Sequence, residues 1–331
     1  MDSVLDGQKV LVTGAGGFIG SHLTERLVSI GCEVTALVRY NSMNNWTFLD
    51  EFDESLKRRI KVVAGDLADE NCVRDVVKKQ DCVFHLGAII SIPYSYKHPR
   101  HTWQVNVTGT MNVLSAARDF GTPKVLVTST SEVYGTAQYT PIDEKHPLQG
   151  QSPYSASKIA ADKMAEAFYC SYKLPVTVVR PFNTFGPRQS TRAVIPTIIT
   201  QALSSRTMKL GDLTTIRDFT YVADTVKGFV KAAEAEDISG EVINLGTGSE
   251  VSIGEIAQRV IKIIGSNIPI EQDSSRLRPE KSEVRRLISD NSKARSLIGW
   301  TPQYSLDDGL RQTIEWFRQN QSKYHPGRYD V

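Results

Sequence analysis

The sequence predicts an α/β protein built on a doubly wound parallel sheet, and two patterns lead to that prediction. An apolar run over residues 9–13 breaks into a glycine-rich turn and then into a helical pattern, which is how a βαβ unit begins. Short apolar strands then alternate with helical segments, and this alternation requires parallel strands joined by crossovers. We therefore expect a Rossmann-type domain over residues 1–182, with a return of the chain around 219–248, and a smaller C-terminal domain over 183–331.

The glycine-rich turn has the spacing Gly-x-x-Gly-x-x-Gly, formed by Gly14, Gly17 and Gly20. Glycines at these positions permit a tight turn, a close approach of backbone to a pyrophosphate, and close packing of helix on strand. Phe18 and Ile19 open the following helix, whose N-terminus offers free N–H groups to an anion. In this strand–turn–helix context the motif predicts a dinucleotide cofactor.

The strand after this helix ends in Arg39 rather than in an acidic residue. An acidic side chain there would bind the adenosine ribose 2′-hydroxyl, whereas a guanidinium can pair with a 2′-phosphate. Arg39 could also be an ordinary solvated residue at a strand end. The sequence therefore favours NADP and leaves NAD open.

Ser152 followed by Pro153 predicts the start of a helix that carries Tyr154 and Lys158. Side chains four residues apart share one helix face, so the ammonium can lower the pKa of the phenol and let the phenolate accept a proton. Such a pair also occurs among ordinary surface residues. The dinucleotide motif upstream favours a catalytic pair, in which Tyr154 takes a hydroxyl proton while hydride leaves the carbinol carbon.

A second proton-transfer group, Glu132, follows Thr130 and Ser131 near the end of a predicted strand. Alone, a glutamate in this place is most often a solvated turn residue. Next to an alcohol-oxidising pair, it can act as a base that removes a proton from the carbon beside a new ketone. The combination predicts oxidation followed by elimination.

The overall charge excludes several classes of partner. Across 331 residues the formal net charge is +2, which gives no field strong enough to indicate nucleic acid or an anionic membrane. The N-terminus is short and acidic, and no apolar run approaches membrane-spanning length. We expect a cytoplasmic protein.

Cysteines and histidines give no metal pattern. His98 and His101 lack further ligands nearby, so no metal site is expected. The cysteines stand singly and indicate small core residues in a reducing compartment: Cys32, Cys72, Cys82 and Cys170. A helical stripe could be either core or a dimer interface: Trp103, Val107, Met111 and Leu114.

After residue 183 the strand–helix alternation breaks down, and arginines become frequent in loop-like sequence. Arg217 and Arg278 stand out, because the planar guanidinium suits a diphosphate. Solvated surface charge is the alternative for each. A second domain closing over the sheet edge would place some of these arginines opposite the cofactor.

The chain resembles the extended short-chain dehydrogenase/reductases over its whole length, and within them the nucleotide-sugar 4,6-dehydratases. In that family a Thr, an Asp or Ser, and a Glu stand before Val/Leu-Tyr-Gly and accompany the Tyr-x-x-x-Lys pair. Here Thr130, Ser131 and Glu132 match, together with Tyr154 and Lys158. The amino-acid sequence of these motifs is most similar to that of N-acetylglucosamine-type dehydratases of legionaminic-acid-like nonulosonate pathways. This resemblance implies a GDP- or UDP-sugar as substrate.

The resemblance also implies binding residues, a tightly held cofactor and a homodimer. The expected cofactor contacts are Asp66 and Leu67 at the adenine and Leu86 and Ala88 at a strand end. The expected contacts of the sugar nucleotide are Thr130, Asn183, Arg188, Arg217, Asn244 and Arg278.

One departure from the family pattern bears on mechanism. dTDP-glucose dehydratases have an Asp, the acid for the departing hydroxyl, where this chain has Ser131, as GDP-mannose dehydratases do. A serine hydroxyl is a poor proton donor, so Glu132 is expected to pass its own proton to the leaving water. UDP-glucuronate decarboxylases share Thr-Ser-Glu and remain an alternative, as does a 4-epimerase, which would not need Glu132. A non-catalytic dinucleotide-binding regulator is a more distant alternative, since it would need neither Glu132 nor the pair.

Overall fold

The computed structural model describes residues 3–324, so residues 1–2 and 325–331 of the two predicted domain ranges lie outside it. Within that span the strands are β1 (Lys9–Thr13), β2 (Glu33–Arg39), β3 (Ile60–Gly65), β4 (Cys82–His85), β5 (Lys124–Thr128), β6 (Val176–Pro181), β7 (Asn183–Phe185), β8 (Met208–Leu210), β9 (Ile216–Arg217), β10 (Phe219–Tyr221), β11 (Val242–Leu245), β12 (Val251–Ser252), β13 (Ile270–Gln272) and β14 (Arg286–Leu287).

The α-helices of the described residues are α1 (Phe18–Ser29), α2 (Glu54–Lys57), α3 (Glu70–Val77), α4 (Ile92–Lys97), α5 (Pro99–Trp103), α6 (Gly109–Phe120), α7 (Pro153–Tyr172), α8 (Val194–Ser204), α9 (Val222–Glu234), α10 (Ile253–Ile264), α11 (Ser292–Ile298) and α12 (Leu306–Gln319). A π-helical turn, Gln104–Thr108, joins α5 to α6, and Ser131–Tyr134 forms a 3₁₀ turn after β5. No helix in this part of the chain is long and apolar enough to cross a membrane.

Seven strands form one parallel sheet in the order β11-β6-β5-β4-β1-β2-β3. The chain winds outward from β1 to β3, then resumes at β4 on the other side of β1. Helices cover both faces, because alternate strand residues point to opposite sides. Val10 and Val12 pack into one buried cluster with Leu23 of α1, whereas Leu11 packs into the other with Val113 of α6. The predicted Rossmann-type α/β fold is confirmed.

The predicted stripe on the helix around residue 107 is divided in the structure. Val107 and Leu114 are buried, whereas Trp103 and Met111 are 52% and 39% exposed. The π-helical turn follows Trp103, and its wider i→i+5 bonding puts Trp103 out of phase with the regular helix α6.

Past β6 the chain forms short strands and helices above the carboxyl edge of the sheet. β9 lies between β12 and β14, and β7 pairs with β10. The side chain of Trp300 is fully buried at the end of α11, where its indole Nε1 donates a 2.8 Å hydrogen bond to the carbonyl oxygen of Asp224. This indole therefore ties the C-terminal segment to α9.

We expect Trp300→Ala to lower the free energy of unfolding by about 3–5 kcal/mol, because it opens a cavity and leaves a buried carbonyl without its partner. Leu297→Ala, on the 41% exposed side of α11, is the control and should cost well under 1 kcal/mol. Chemical denaturation measures both. A Trp300→Ala loss no larger than that of Leu297→Ala would contradict the assignment.

Candidate active site

The turn after β1 meets the turn after β4 at the middle of the sheet. Gly14 has φ +69°, and a Cβ atom built on it would lie 2.8 Å from the Cα atom of Gly87. The Thr13 hydroxyl holds the second turn by accepting a 3.0 Å hydrogen bond from the Gly87 N–H. Only glycine fits this close approach, and the crevice between such turns is where open parallel sheets bind ligands.

Helix α1 starts directly at this crevice. Gly17 is its N-cap without a side-chain capping bond, and Phe18 is its first residue, followed by Ile19. A Cβ on Gly20 would lie 2.1 Å from the carbonyl oxygen of Gly14, so this glycine is needed for helix and turn to pack. The backbone cradle therefore fits a dinucleotide pyrophosphate at the helix N-terminus.

The predicted adenosine contacts lie at the ends of two neighbouring strands. Arg39 is exposed at the end of β2 and stands opposite Gly65 in the parallel register with β3. Asp66 comes next and is exposed, with its Oδ1 accepting a 2.9 Å hydrogen bond from the Ala68 N–H. Leu67 is largely buried, and its Cδ1 packs beside Gly87.

A residue that the sequence reasoning missed holds the segment after β4, which includes Leu86 and Ala88. The Asn106 side chain accepts a 2.7 Å hydrogen bond from the Ile89 N–H and donates one of 2.9 Å to the Ile89 carbonyl oxygen. It also donates a 3.0 Å bond to the hydroxyl of Ser157 on α7. Asn106 lies in the π-helical turn, and such turns are frequent at functional sites.

The helix predicted to carry the oxidising pair begins as expected, with Ser152 as N-cap and Pro153 in its first turn. Tyr154 and Lys158 are both buried. The ammonium donates a 2.6 Å hydrogen bond to the carbonyl oxygen of Thr128, at the end of β5. The pair thus lies against the strand that leads into residues 130–132.

The electrostatics of the pair differ from the sequence-based expectation in one respect. Burial is the largest influence on Tyr154 and raises its pKa, opposed by a hydrogen bond with the hydroxyl of Thr130. Burial likewise lowers the pKa of Lys158, and the nearby charge of Asp162 opposes that. Burial therefore raises the pKa of the phenol, and the Lys158 ammonium bonds to a backbone carbonyl and not to the Tyr154 hydroxyl.

Residues 130–132 form the turn directly after β5. Thr130 is the N-cap, and its hydroxyl accepts a 3.2 Å hydrogen bond from the Glu132 N–H. Glu132 is half-buried, whereas Ser131 is 3% exposed. The Thr130 hydroxyl lowers the pKa of Tyr154 and the charge of Glu132 raises it, so the turn brings the Glu132 carboxylate to the same site as the phenol.

Two of the predicted arginines converge on a glutamate that the sequence analysis did not single out. Glu283 Oε1 lies 3.4 Å from Arg217 Nη2 and 3.6 Å from Arg278 Nη1. Arg217 is 5% exposed; burial lowers its pKa most, and the charge of Glu132 opposes the effect. Arg278 and Glu283 lie five residues apart in one segment, whereas Arg217 comes from β9, so motif spacing cannot indicate that Arg217 joins them.

The residue after Arg217 fixes its place. Asp218 is fully buried and accepts hydrogen bonds from the N–H groups of Thr247, Gly248 and Ser289, at 2.9, 2.8 and 3.1 Å. These bonds join three segments of the C-terminal region around β9. Arg217 therefore projects from a rigid part of the structure.

Three other predicted substrate contacts lie in different surroundings. Asn183 starts β7, and its buried Oδ1 has no hydrogen-bond partner among the described residues. Arg188 pairs with Glu25 of α1 at 2.9 Å and lies over the ring of Phe52. The structure thus directs Arg188 toward α1 and not to the arginine pair.

Asn244 is fully buried and its amide is already used. Its Oδ1 accepts a 2.8 Å hydrogen bond from the Tyr134 hydroxyl, and its Nδ2 donates one of 3.1 Å to the Ile142 carbonyl oxygen. The side chain thus lies inside the protein, bonded to Tyr134 and Ile142, and its contact with the substrate stays a prediction. Among the described residues no three His, Cys, Asp or Glu side chains form a group that could hold a metal ion.

The fold and this site define a class of protein: extended short-chain dehydrogenases/reductases that act on nucleotide sugars. A model of the GDP-mannose 4,6 dehydratase family matches residues 11–313, and the chain belongs to that family. Its relatives are nucleotide-sugar dehydratases, epimerases and decarboxylases.

Similar proteins carry the names of different reactions. UDP-glucose 4-epimerase of Mycolicibacterium smegmatis is 35% identical over 318 residues, covering 94% of this chain and 98% of that protein. UDP-N-acetyl-alpha-D-glucosaminuronate decarboxylase of Bacillus cytotoxicus is 34% identical over 328 residues, covering 94% and 98%. The solved dTDP-glucose 4,6-dehydratase DesIV of Streptomyces venezuelae, with NAD bound, has a TM-score of 0.87 and 29% identity, covering 96% and 98%. The comparisons therefore establish the family of this chain but not which of these reactions it catalyses.

Proposed function

We propose that this protein is a nucleotide-sugar 4,6-dehydratase that converts an NDP-hexose to the 4-keto-6-deoxy sugar. The supporting observation is that Lys158 bonds to the end of β5 directly before the turn that carries Glu132, so the Glu132 carboxylate lies near the Tyr154 phenol, whose pKa it raises. Such a site can remove both protons that the reaction requires. GDP- or UDP-N-acetylglucosamine is the proposed substrate, on the sequence resemblance to dehydratases of nonulosonate pathways.

The proposed binding arrangement follows the layout of the molecule. Residues 1–182, with the returning segment 219–248, hold the dinucleotide, and residues 183–331 mainly hold the sugar nucleotide. Arg217 and Arg278 bind the diphosphate in place of their contact with Glu283, because a diphosphate is the stronger counter-ion for two guanidinium groups. The four free cysteines agree with a reducing compartment such as the cytoplasm.

A nicotinamide dinucleotide bound at the Gly14 turn supplies a hydride acceptor for C4 and a hydride donor for C6. Tyr154, as phenolate, takes the proton of the 4-hydroxyl, and Lys158 stabilises that phenolate. Thr130 hydrogen-bonds O4. The 4-ketone acidifies the C5–H bond, so Glu132 removes that proton and passes it to the departing 6-hydroxyl. Glu132 then takes up a proton from water and returns it to C5 as hydride reaches C6, and Tyr154 gives up the 4-hydroxyl proton to solvent. The cofactor and both side chains end each cycle unchanged, which suits tight binding of the cofactor.

Two alternatives use the same first step. A 4-epimerase would return the hydride to C4 and would not need Glu132, while a UDP-glucuronate decarboxylase would lose carbon dioxide after the C4 oxidation. Relatives of both kinds are similar to this chain. The fate of the C4 hydrogen and of C6 distinguishes all three.

We expect substrate deuterated at C4 to give a 4-keto-6-deoxy sugar that carries the deuterium in its C6 methyl group. In D₂O, unlabelled substrate should gain one solvent deuterium at C5, because the carboxylic acid of Glu132 exchanges with water. Mass spectrometry and NMR of the product measure both labels. Deuterium found at C4 of an epimer, or carbon dioxide released from a uronate, would exclude the dehydratase; no turnover of any sugar nucleotide would favour the regulator.

Variants of Tyr154 and Glu132 should block different steps of the reaction. Tyr154→Phe should lower turnover by roughly 10² to 10⁴, the usual range for loss of a general acid/base, and should also slow the reduction of bound cofactor. Glu132→Gln should prevent dehydration but still allow reduced cofactor to build up. Tyr169→Phe, at a 40% exposed position of the same helix, is the control and should behave as wild type. Stopped-flow absorbance and product analysis separate these cases, and normal turnover of Tyr154→Phe would refute its role.

The form of the cofactor depends on Arg39. The solved neighbours DesIV and the UDP-glucuronic acid 4-epimerase of Bacillus cereus (TM-score 0.86, 29% identity, covering 94% of this chain and 99% of that chain) are in complex with NAD, which favours NAD. Arg39, exposed at the end of β2, is the residue on which the sequence-based preference for NADP rests.

If Arg39 pairs with a 2′-phosphate, Arg39→Asp should weaken NADP binding at least tenfold, about 1.4 kcal/mol, and change NAD binding little. Arg58→Asp alters charge equally at another exposed position and is the control. Calorimetric titration with both cofactors measures the difference. Equal effects on NAD and NADP would show that Arg39 does not contact the 2′ position.

We propose a homodimer formed through α6 and α7, where Trp103 and Met111 leave an apolar surface exposed beside α7. Met111→Glu places a charge in that surface and should shift the protein from dimer to monomer. Met43→Glu, at a 77% exposed loop position, should not. Sedimentation velocity measures the masses, and a Met111→Glu variant that stays dimeric would exclude this interface.

A further inference from the structure

A group of buried polar side chains connects α7 to the turn that carries Thr130 and Glu132. The Oδ2 atom of Asp162 accepts hydrogen bonds from Ser129 Oγ at 2.7 Å and from Arg180 Nε and Nη2 at 3.1 and 3.0 Å. The side chains of Asp162 and Arg180 are 3% and 4% exposed. One carboxylate oxygen thus bonds to both β6 and the residue before Thr130.

The same group reaches the other end of the turn. Arg180 Nη1 donates a 2.8 Å hydrogen bond to the Tyr134 hydroxyl, and the guanidinium lies 5.0 Å from the centre of the Tyr134 ring. Tyr134 in turn donates to Asn244 on β11. Residues 130–133 are therefore held at both ends, through Ser129 and through Tyr134.

A requirement for stability does not explain why these groups are charged. A buried ion pair loses hydration that its mutual attraction often only balances, and apolar replacements of such pairs are commonly neutral or stabilising. What the charged groups provide is directional bonding, because a carboxylate and a guanidinium fix the relative position of the elements that carry them. Here those elements are α7, β6 and the turn after β5.

Asp162 also lies one helical turn after Lys158 on α7, so its charge favours the protonated form of that buried amine. Asp162 thus lies between the oxidising pair and the eliminating base, which the proposed reaction uses in succession. The oxidising pair is on its own helix, and the eliminating base is on the turn to which it bonds.

We propose that Asp162 is a positioning residue that, through Ser129 and Arg180, sets the turn carrying Glu132 against the helix carrying Tyr154 and Lys158. The proposal rests on the proposed dehydratase function for its kinetic consequence. Elimination requires that Glu132 reach C5 of a sugar whose O4 is held by Tyr154 and Thr130. A shift of the turn should therefore affect elimination more than oxidation.

Ser129→Ala tests this most directly, because it removes the bond to the turn and leaves the ion pair between Asp162 and Arg180 in place. We expect dehydration to slow roughly tenfold or more while the rate of C4 oxidation changes less than about threefold, so reduced cofactor accumulates in single turnovers. KM for the sugar nucleotide should stay near the wild-type value. Ser129→Thr keeps the hydroxyl and should restore most of the dehydration rate.

Thr313→Ala is the matched control, since it removes a fully buried hydroxyl that bonds to Gly309 in the C-terminal helix. A variant that simply loosens the fold would slow both half-reactions equally, and such a result for Ser129→Ala would overturn the proposal. Identical behaviour of Ser129→Ala and wild type would overturn it as well.

Hydrogen exchange distinguishes this proposal from the proposed function. Ser129→Ala should raise amide exchange across residues 130–135 selectively, and Thr313→Ala should not, whichever sugar nucleotide the protein uses. If the wild type proves to be an epimerase, the dehydratase proposal fails, and the exchange result still decides whether Ser129 and Asp162 hold the turn. Unchanged exchange in residues 130–135 would show that they do not.

Discussion

The parallel pairing of β1 with both β2 and β4 is the constraint on which the rest of the structure depends. The chain winds away from β1 to one side and then resumes on the other, so α1 and α6 lie on opposite faces and a crevice forms where the turns after β1 and β4 meet. The carboxyl ends of β5 and β6 lie along the same edge. The turn that carries Glu132 and the strand that starts at Asn183 therefore begin at this edge because of the sheet order.

Burying charge at this edge costs hydration, and the surrounding groups compensate for it locally. The Lys158 ammonium bonds to a strand-end carbonyl, Arg217 faces Glu283, and Arg180 faces Asp162. Each cation thus keeps a hydrogen-bonding partner in an environment that weakens the charged form. Such an arrangement holds the charged groups in place before a ligand binds. Groups that must contact specific atoms of a sugar require this preorganisation.

The relatives of this chain show why the fold alone does not determine the reaction. Proteins named as epimerases, decarboxylases and dehydratases share it over nearly their whole length. In the scheme proposed here all three reactions begin with oxidation at C4, and the groups that act on C5 and C6 decide the outcome. In that scheme Glu132 is the group of this chain that acts there, so the position of the turn that carries it bears directly on the outcome.

The sequence by itself determined the sheet, the glycine turn and the start of the helix that carries Tyr154. Each depends on local rules: apolar periodicity, the conformational freedom of glycine, and a Ser-Pro helix start. It did not reveal that Asn106 holds the segment after β4, that Glu283 pairs with Arg217, or that Asn244 bonds to Tyr134 and Ile142. Those contacts link residues far apart in the chain, and only the packing of complete elements brings them within bonding distance. A single π-helical turn even divided a predicted helix face, because its phase depends on hydrogen bonding that residue spacing does not encode.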